Sequence, residues 1–156
     1  MPEIFLDGAA RLLVLLHAAA AIVLVGATTH HAIVAIGYLR GKPKVRLGRI
    51  YAATIAVTYT VTFVLGLLAY PTFRYYTRAL YLDRYERWAS NLFDMKENFA
   101  ALGLPLVVAM FVMSRRMDPK QDKLLVGPYV GFALLTAGIV WFAVVSGLLI
   151  TMTKGV

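Results

Sequence analysis

The chain has no cysteine, and its histidines and tryptophans number only three and two. Without thiols, disulfides, thiolate metal sites and covalently attached c-type haem are excluded. The sequence also lacks a Gly-rich phosphate loop, a histidine pair at metalloprotease spacing and a nucleophile elbow. None of these signatures of stand-alone enzymes is therefore present in the sequence.

Apolar residues are abundant instead. They make up 60% of the 156 residues, whereas a soluble domain has about 45–50%. The excess lies in runs that reach the roughly 20 residues that a bilayer-spanning helix needs. The sequence predicts one all-α domain over residues 1–156, an integral membrane four-helix bundle. Its spans are expected at about 9–39, 47–70, 92–113 and 124–152.

Charge is placed unevenly along the chain. The net charge of +8 would suit nucleic acid, but the bases concentrate in two short loops between apolar runs. Residues 40–49 hold five bases and no acid, and residues 114–123 hold four bases and two acids. By the positive-inside rule both loops are cytoplasmic, so both termini lie outside. We expect an integral protein of the bacterial inner membrane that contacts lipid and binds no nucleic acid.

Residues 71–91 differ from the rest in being rich in Tyr and Arg, with one Trp. This composition is typical of the membrane–water interface. We predict an external amphipathic segment that lies on the membrane surface between helices 2 and 3.

Small residues form stripes on two of the predicted helices. Helix 2 carries small or hydroxyl residues at a spacing of four, and helix 4 carries glycines along one side. Both patterns favour close helix packing, with the hydroxyls bonded to the backbone. The residues are Thr54, Thr58, Thr62 and Gly66 in helix 2, and Gly127, Gly131 and Gly138 in helix 4.

All three histidines lie in helix 1. His17 and His31 are fourteen residues apart, close to four turns, so they share a face about 21 Å apart along the axis. His30 points roughly 100° away from His31. Ionisable side chains inside a membrane helix are costly and are candidates for function. His30 and His31 would also suit simple hydration or bonding to backbone carbonyls near the cytoplasmic interface.

The start of helix 3 places further ionisable groups at a depth near His17. These are Asp94, Lys96 and Glu97, with Met95 among them. One interpretation is a buried ion pair and a histidine that is hydrogen-bonded to a carboxylate. The alternatives are a haem or metal site and a proton relay.

The pair His17 and His31 resembles the haem-carrying helices of membrane b-type cytochromes. In those helices, two histidines thirteen or fourteen residues apart each bind one of two stacked haems. The resemblance implies haem b as cofactor, with His17, His31 and the adjacent His30 as candidate ligands. Helices 2 to 4 have no histidine, so a second ligand would be a methionine (Met95, Met110 or Met113) or the same histidine of a two-fold partner copy.

A second resemblance is to small four-helix membrane proteins of the CopD-like type. It rests on Leu15-Leu-His17-Ala-Ala-Ala-Ala in helix 1 and Leu92-Phe-Asp-Met-Lys-Glu-Asn-Phe99 at the start of helix 3. It implies copper or another metal ion, for which His17, Asp94, Met95 and Glu97 are the candidate ligands.

The residues and the two resemblances together imply three hypotheses, and we expect an electron-transfer or binding protein rather than a stand-alone enzyme. The first is a redox module that binds haem b and transfers electrons, as a homo-oligomer or as a subunit of a membrane complex. The second is a protein that handles copper, another metal ion or protons. The third is a structural subunit whose polar residues only fix helix packing.

Overall fold

The computed structural model describes residues 3–154 of the chain, and that part is helical with no strand. Four long helices are apolar enough to cross a membrane. The all-helical prediction and the four membrane-compatible helices are thereby confirmed. The helix bounds are α1 Ala10–Leu39, α2 Val45–Thr72, α4 Arg87–Arg116 and α5 Lys123–Thr153, with a short α3, Asp83–Tyr85, before α4.

The four long helices form a ring of antiparallel neighbours. α1 packs against α2 and α5, and α4 packs against the same two helices. The connections at residues 40–44 and 117–122 lie at one end of the bundle, which we call the basic end. The other end, which holds residues 70–93, we call the aromatic end. With 30 residues, α1 is about 45 Å long and exceeds a hydrocarbon core of about 30 Å.

Two separate hydrophobic clusters fill the bundle. The main cluster occupies the middle and the basic end and includes Leu24, Ile55, Tyr59, Val107, Met110, Tyr129 and Val140. The aromatic-end cluster is built from Leu82, Ala89, Phe93 and Ile150, with Tyr70 and Phe73 packed against it. The helices α2, α4 and α5 each run about three turns between the two clusters, whereas α1 contributes to the main cluster only. The candidate site lies at the level of this gap.

The segment predicted as a separate surface helix is a continuation of α2. The chain stays helical through Pro71 and then forms a π-helix over Phe73–Leu82, which α3 extends. The helix breaks only at Glu86, whose φ of −136° and ψ of 56° lie outside the helical region. A new helix follows this break at once, so α4 begins at Arg87 rather than near residue 92.

The two predicted small-residue stripes behave differently. In α2, the Thr54 and Thr58 hydroxyls donate to the carbonyls four residues earlier, as expected. The buried Thr62 hydroxyl, in contrast, has no hydrogen-bond partner in residues 3–154. In α5, a Cβ added at Gly127, Gly131 or Gly138 would meet nothing within 4 Å. The α5 glycines therefore do not mediate close packing within the part of the chain that the structure describes, because they face away from the neighbouring helices.

Candidate polar site between the two hydrophobic clusters

One face of α1 carries every seventh residue from Ala10 to Tyr38. Seven residues make nearly two helical turns, so Ala10, His17, Leu24, His31 and Tyr38 line up toward the centre of the bundle. Four of the five are buried, and His17 alone is partly exposed. On this face the main cluster begins at Leu24, so His17 lies seven residues outside it, toward the aromatic end.

The His17 ring is held by the backbone of α2. Its Nδ1 lies 2.9 Å from the Thr62 carbonyl oxygen. A carbonyl only accepts, so Nδ1 carries the hydrogen, and the neutral ring has its lone pair on Nε2. A Cβ at Gly66 would come within 3.2 Å of His17 Cε1, so the glycine leaves room for the ring. The result is an oriented imidazole whose Nε2 is the base or ligand atom.

Lys96 of α4 lies at a depth similar to that of His17, because it follows the start of α4 by nine residues and His17 follows the start of α1 by seven. The Lys96 side chain is only 18% exposed. Lys96 Nζ lies 4.8 Å from the centre of the Phe93 ring and 3.8 Å from Glu97 Oε1, whose side chain is 43% exposed. Lys96 is thus largely withdrawn from water, with one carboxylate at the limit of an ion pair.

The remaining residues of the predicted metal site are engaged elsewhere or exposed. Asp94 accepts two hydrogen bonds from the Arg78 guanidinium, at 2.7 and 2.8 Å. Met95 is 50% exposed. Across residues 3–154 no three or more His, Asp or Glu side chains gather at a spacing that would hold a metal ion. A copper site at His17, Asp94, Met95 and Glu97 therefore stays a prediction, without a ligand cluster to support it.

His31 is locked between α1 and α5. It is 1% exposed, and a hydrogen bond of 2.8 Å joins its Nε2 to the Tyr129 hydroxyl. The Tyr129 ring packs in turn against Tyr38, with ring centres 5.3 Å apart. The buried Nδ1 of His31 has no hydrogen-bond partner in the described part of the chain. A haem iron at His31 Nε2 would have to displace Tyr129.

His30 points out of the bundle, as its position next to His31 predicts. Its Nδ1 donates to the Gly26 carbonyl oxygen at 2.8 Å, and its ring stacks on Tyr51 with ring centres 6.0 Å apart. The same tautomer argument leaves the His30 lone pair on Nε2, at an exposed position.

Several interhelical contacts have no signal in the sequence. The Tyr59 hydroxyl donates to the Ala100 carbonyl oxygen at 2.8 Å, and Arg49 Nε donates to the Ser114 carbonyl oxygen at 3.0 Å. Backbone carbonyls are present at every position, so residue type does not identify these acceptors. The small-residue stripe marked Thr62 and Gly66 as a close-packing surface, but it did not identify His17 as the neighbour.

Two surface depressions stand out in the bundle, and neither is lined by a histidine. One is a groove of about 450 Å³ between α2 and α4, and the other is a cleft of about 420 Å³ at the aromatic end.

Searches with the chain against protein-family models, curated proteins and solved structures found no match.

Proposed function

We propose that the chain is an integral membrane protein that handles protons, and that His17, Lys96 and Glu97 take them up and release them. The observation that most supports this role is the withdrawal of Lys96 from water at the same depth of the bundle as an imidazole with a free Nε2. Ionisable groups at such depth are expensive and mark proton or ion pathways in membrane proteins.

The three side chains suit a short proton path from the aromatic end. Glu97 is the most exposed member and exchanges protons with water. Lys96 Nζ lies 3.8 Å from Glu97 Oε1 and is less exposed than the carboxylate. His17 contributes the lone pair on Nε2. Each group accepts or gives up one proton at a time, so protons pass inward without any covalent chemistry in the chain.

Beyond His17 the path meets the main hydrophobic cluster. Leu24 and Ile55 are buried at this level, and the next imidazole of the bundle interior is His31, about 21 Å from His17 along α1. The proposed site therefore serves one side of the membrane. We propose that the basic end faces the cytoplasm, because short loops rich in Lys and Arg stay on that side of the membrane. The site would then lie on the outer side.

The test is solid-state NMR of the reconstituted protein labelled with 15N-histidine, recorded between pH 5 and pH 8. The ring nitrogen shifts report the protonation state of each histidine. We expect His17 to change state with the buffer pH, and Lys96→Met to move the midpoint of that change by at least about half a pH unit, which is roughly 0.7 kcal/mol of coupling.

Lys154→Met is the matched control, because Lys154 is an exposed lysine at the same end of the bundle. It removes the same charge and is expected to leave the His17 midpoint in place. Proton handling at this site is refuted if His17 keeps one protonation state from pH 5 to pH 8 in the wild type. Equal shifts in the two lysine variants would refute the coupling of Lys96 to His17.

A second candidate function is electron transfer with haem b bound at His17. The specific observation in its favour is the hydrogen bond from His17 Nδ1 to a backbone carbonyl, which is how proteins commonly orient a ligating histidine. Nε2 would hold the iron, and the haem would supply one-electron redox chemistry. The second ligand would come from His17 of another copy or from a partner protein.

Absorption spectra of the purified protein, before and after reduction with dithionite, test the haem candidate. Bound haem b gives a Soret band that sharpens with α and β bands on reduction, and His17→Ala should remove it. The matched control is His30→Ala, which is expected to leave the spectrum unchanged. A colourless protein from cells with adequate haem supply contradicts this candidate and leaves the proton proposal standing.

A further inference from the structure

The groove between α2 and α4 runs along the face of the bundle near the basic end. Five residues of α2 form one wall at helical spacings of three and four, so the groove extends about 12 Å along that helix. Phe111 and Arg115, one turn apart on α4, form the other wall. The α2 residues are Ala53, Ala56, Val57, Thr60 and Val61. The walls are thus almost wholly apolar.

Arg115 is the only charged residue that lines this groove. Its guanidinium carbon lies 5.2 Å from the centre of the Phe111 ring, and it makes no ion pair with a carboxylate in residues 3–154. It stands one residue from the end of α4, so it lies at the level where lipid headgroups meet the helices.

The surroundings of Arg115 add to its charge. The neighbouring connection at residues 40–44 and the first turns of α2 carry five bases and no acid. An anion at Arg115 would therefore meet a positive field on this side. Asp118 and Asp122 lie in the connection that follows α4, and neither forms an ion pair with Arg115 in residues 3–154. Basic pockets between membrane helices on the cytoplasmic side are typical sites for acidic headgroups.

We propose that this groove binds one anionic phospholipid of the leaflet at the basic end. The phosphate pairs with the Arg115 guanidinium, and one acyl chain lies along the groove against Ala56 and Val57. The apolar walls match a hydrocarbon chain, and the single unpaired guanidinium at the basic end matches the phosphate. This proposal does not depend on the proton or haem proposals.

The test is native mass spectrometry of the detergent-purified protein, titrated with phosphatidylglycerol and, separately, with phosphatidylcholine. We expect the first bound phosphatidylglycerol to be held about fivefold more tightly than phosphatidylcholine, the preference typical of one basic residue. Arg115→Gln should abolish the preference. Ala56→Leu, which fills the groove, should weaken the first binding step for both lipids.

Arg116→Gln is the matched control, because it removes the same charge one residue away from the groove. It is expected to keep the preference, and an equal loss in both arginine variants would overturn the proposal in favour of a diffuse positive surface. If Ala56→Leu does not fold, Val57→Trp tests the groove instead, since Val57 is 64% exposed.

Inorganic phosphate is the probe for the headgroup alone. We expect millimolar phosphate to leave the bound phosphatidylglycerol in place, because phosphate does not occupy the groove. Displacement by phosphate at that concentration, or absence of any preference in the wild type, would show that the groove is not a lipid site.

Discussion

Replacing Gly103 by alanine tests the packing between α2 and α4 at the edge of the candidate site. A Cβ at this position would overlap the Tyr59 hydroxyl and lie 2.7 Å from the ring carbon Cζ, far inside van der Waals contact. Tyr59 is 4% exposed in the main cluster, so its rigid ring has little room to move aside. Its hydrogen bond to the Ala100 carbonyl would be lost as the ring shifts.

The expected cost follows from three contributions. Overpacking costs about 1–3 kcal/mol. Loss of the hydrogen bond from Tyr59 adds about 1 kcal/mol. Alanine regains roughly 0.5–1 kcal/mol over glycine inside a helix. We therefore expect Gly103→Ala to destabilise the protein by about 2 kcal/mol.

Reversible unfolding in mixed micelles with increasing SDS, followed by circular dichroism, measures this free energy. In a Tyr59→Leu background the clash is absent, so the same glycine change should cost less than about 0.5 kcal/mol. Gly131→Ala is the control, because a Cβ there meets nothing within 4 Å, and it should be neutral or slightly stabilising. An equal cost of Gly103→Ala in both backgrounds would refute the role assigned to Tyr59.

Three further predictions concern the partner of His31, the Arg78 ion pair and the orientation in the membrane. Tyr129→Phe should cost about 1–3 kcal/mol in the SDS assay, because it leaves the buried Nε2 of His31 without a partner, and the loss should shrink in a His31→Leu background. Arg78→Lys should lower the free energy of unfolding by about 1 kcal/mol, because lysine cannot form the bidentate hydrogen bonds that Arg78 donates to Asp94. The loss should be smaller at high salt, since the Asp94 side chain is half-exposed. In intact cells a membrane-impermeant maleimide should label a cysteine at Arg84 but not one at Lys120, and the reverse pattern would invert the proposed orientation.

The four long helices were predictable because their signal is local. Each is a run of apolar residues longer than a bilayer is thick, and the observed helices match the predicted spans closely except at the end of α2 and the start of α4. The predicted start of α4 assumed a helix about as long as one span, roughly 20 residues, whereas α4 has 30. A proline usually marks a helix boundary because it lacks an N–H and crowds the carbonyl four residues earlier, but α2 stays helical through Pro71 and into the π-helical turns.

The contacts of the candidate site were less predictable because they depend on how the helices rotate against each other. Spacing alone placed His17 and His31 on one face of α1. It did not show that a backbone carbonyl holds His17, or that Asp94 pairs with an arginine sixteen residues earlier. The glycines of α5 were mispredicted for the same reason. Their spacing identified a side of the helix with small residues, but not whether that side faces another helix.

The two histidines on the inward face of α1 differ in the kind of partner that holds them, and this difference bears on their roles. His31 is bonded to a side-chain hydroxyl deep in the main cluster, so its Nε2 is occupied and shielded from water. His17 is bonded through Nδ1 to a backbone carbonyl, an acceptor that no side-chain substitution removes, and it lies between the two clusters.

The bond from His17 to the carbonyl leaves its Nε2 available, and the gap between the clusters keeps the ring partly exposed. A residue that exchanges protons or binds a ligand needs both conditions, whereas a residue that only joins helices needs neither. On this argument His31 stabilises the bundle, and His17 is the histidine of this face at which we expect chemistry.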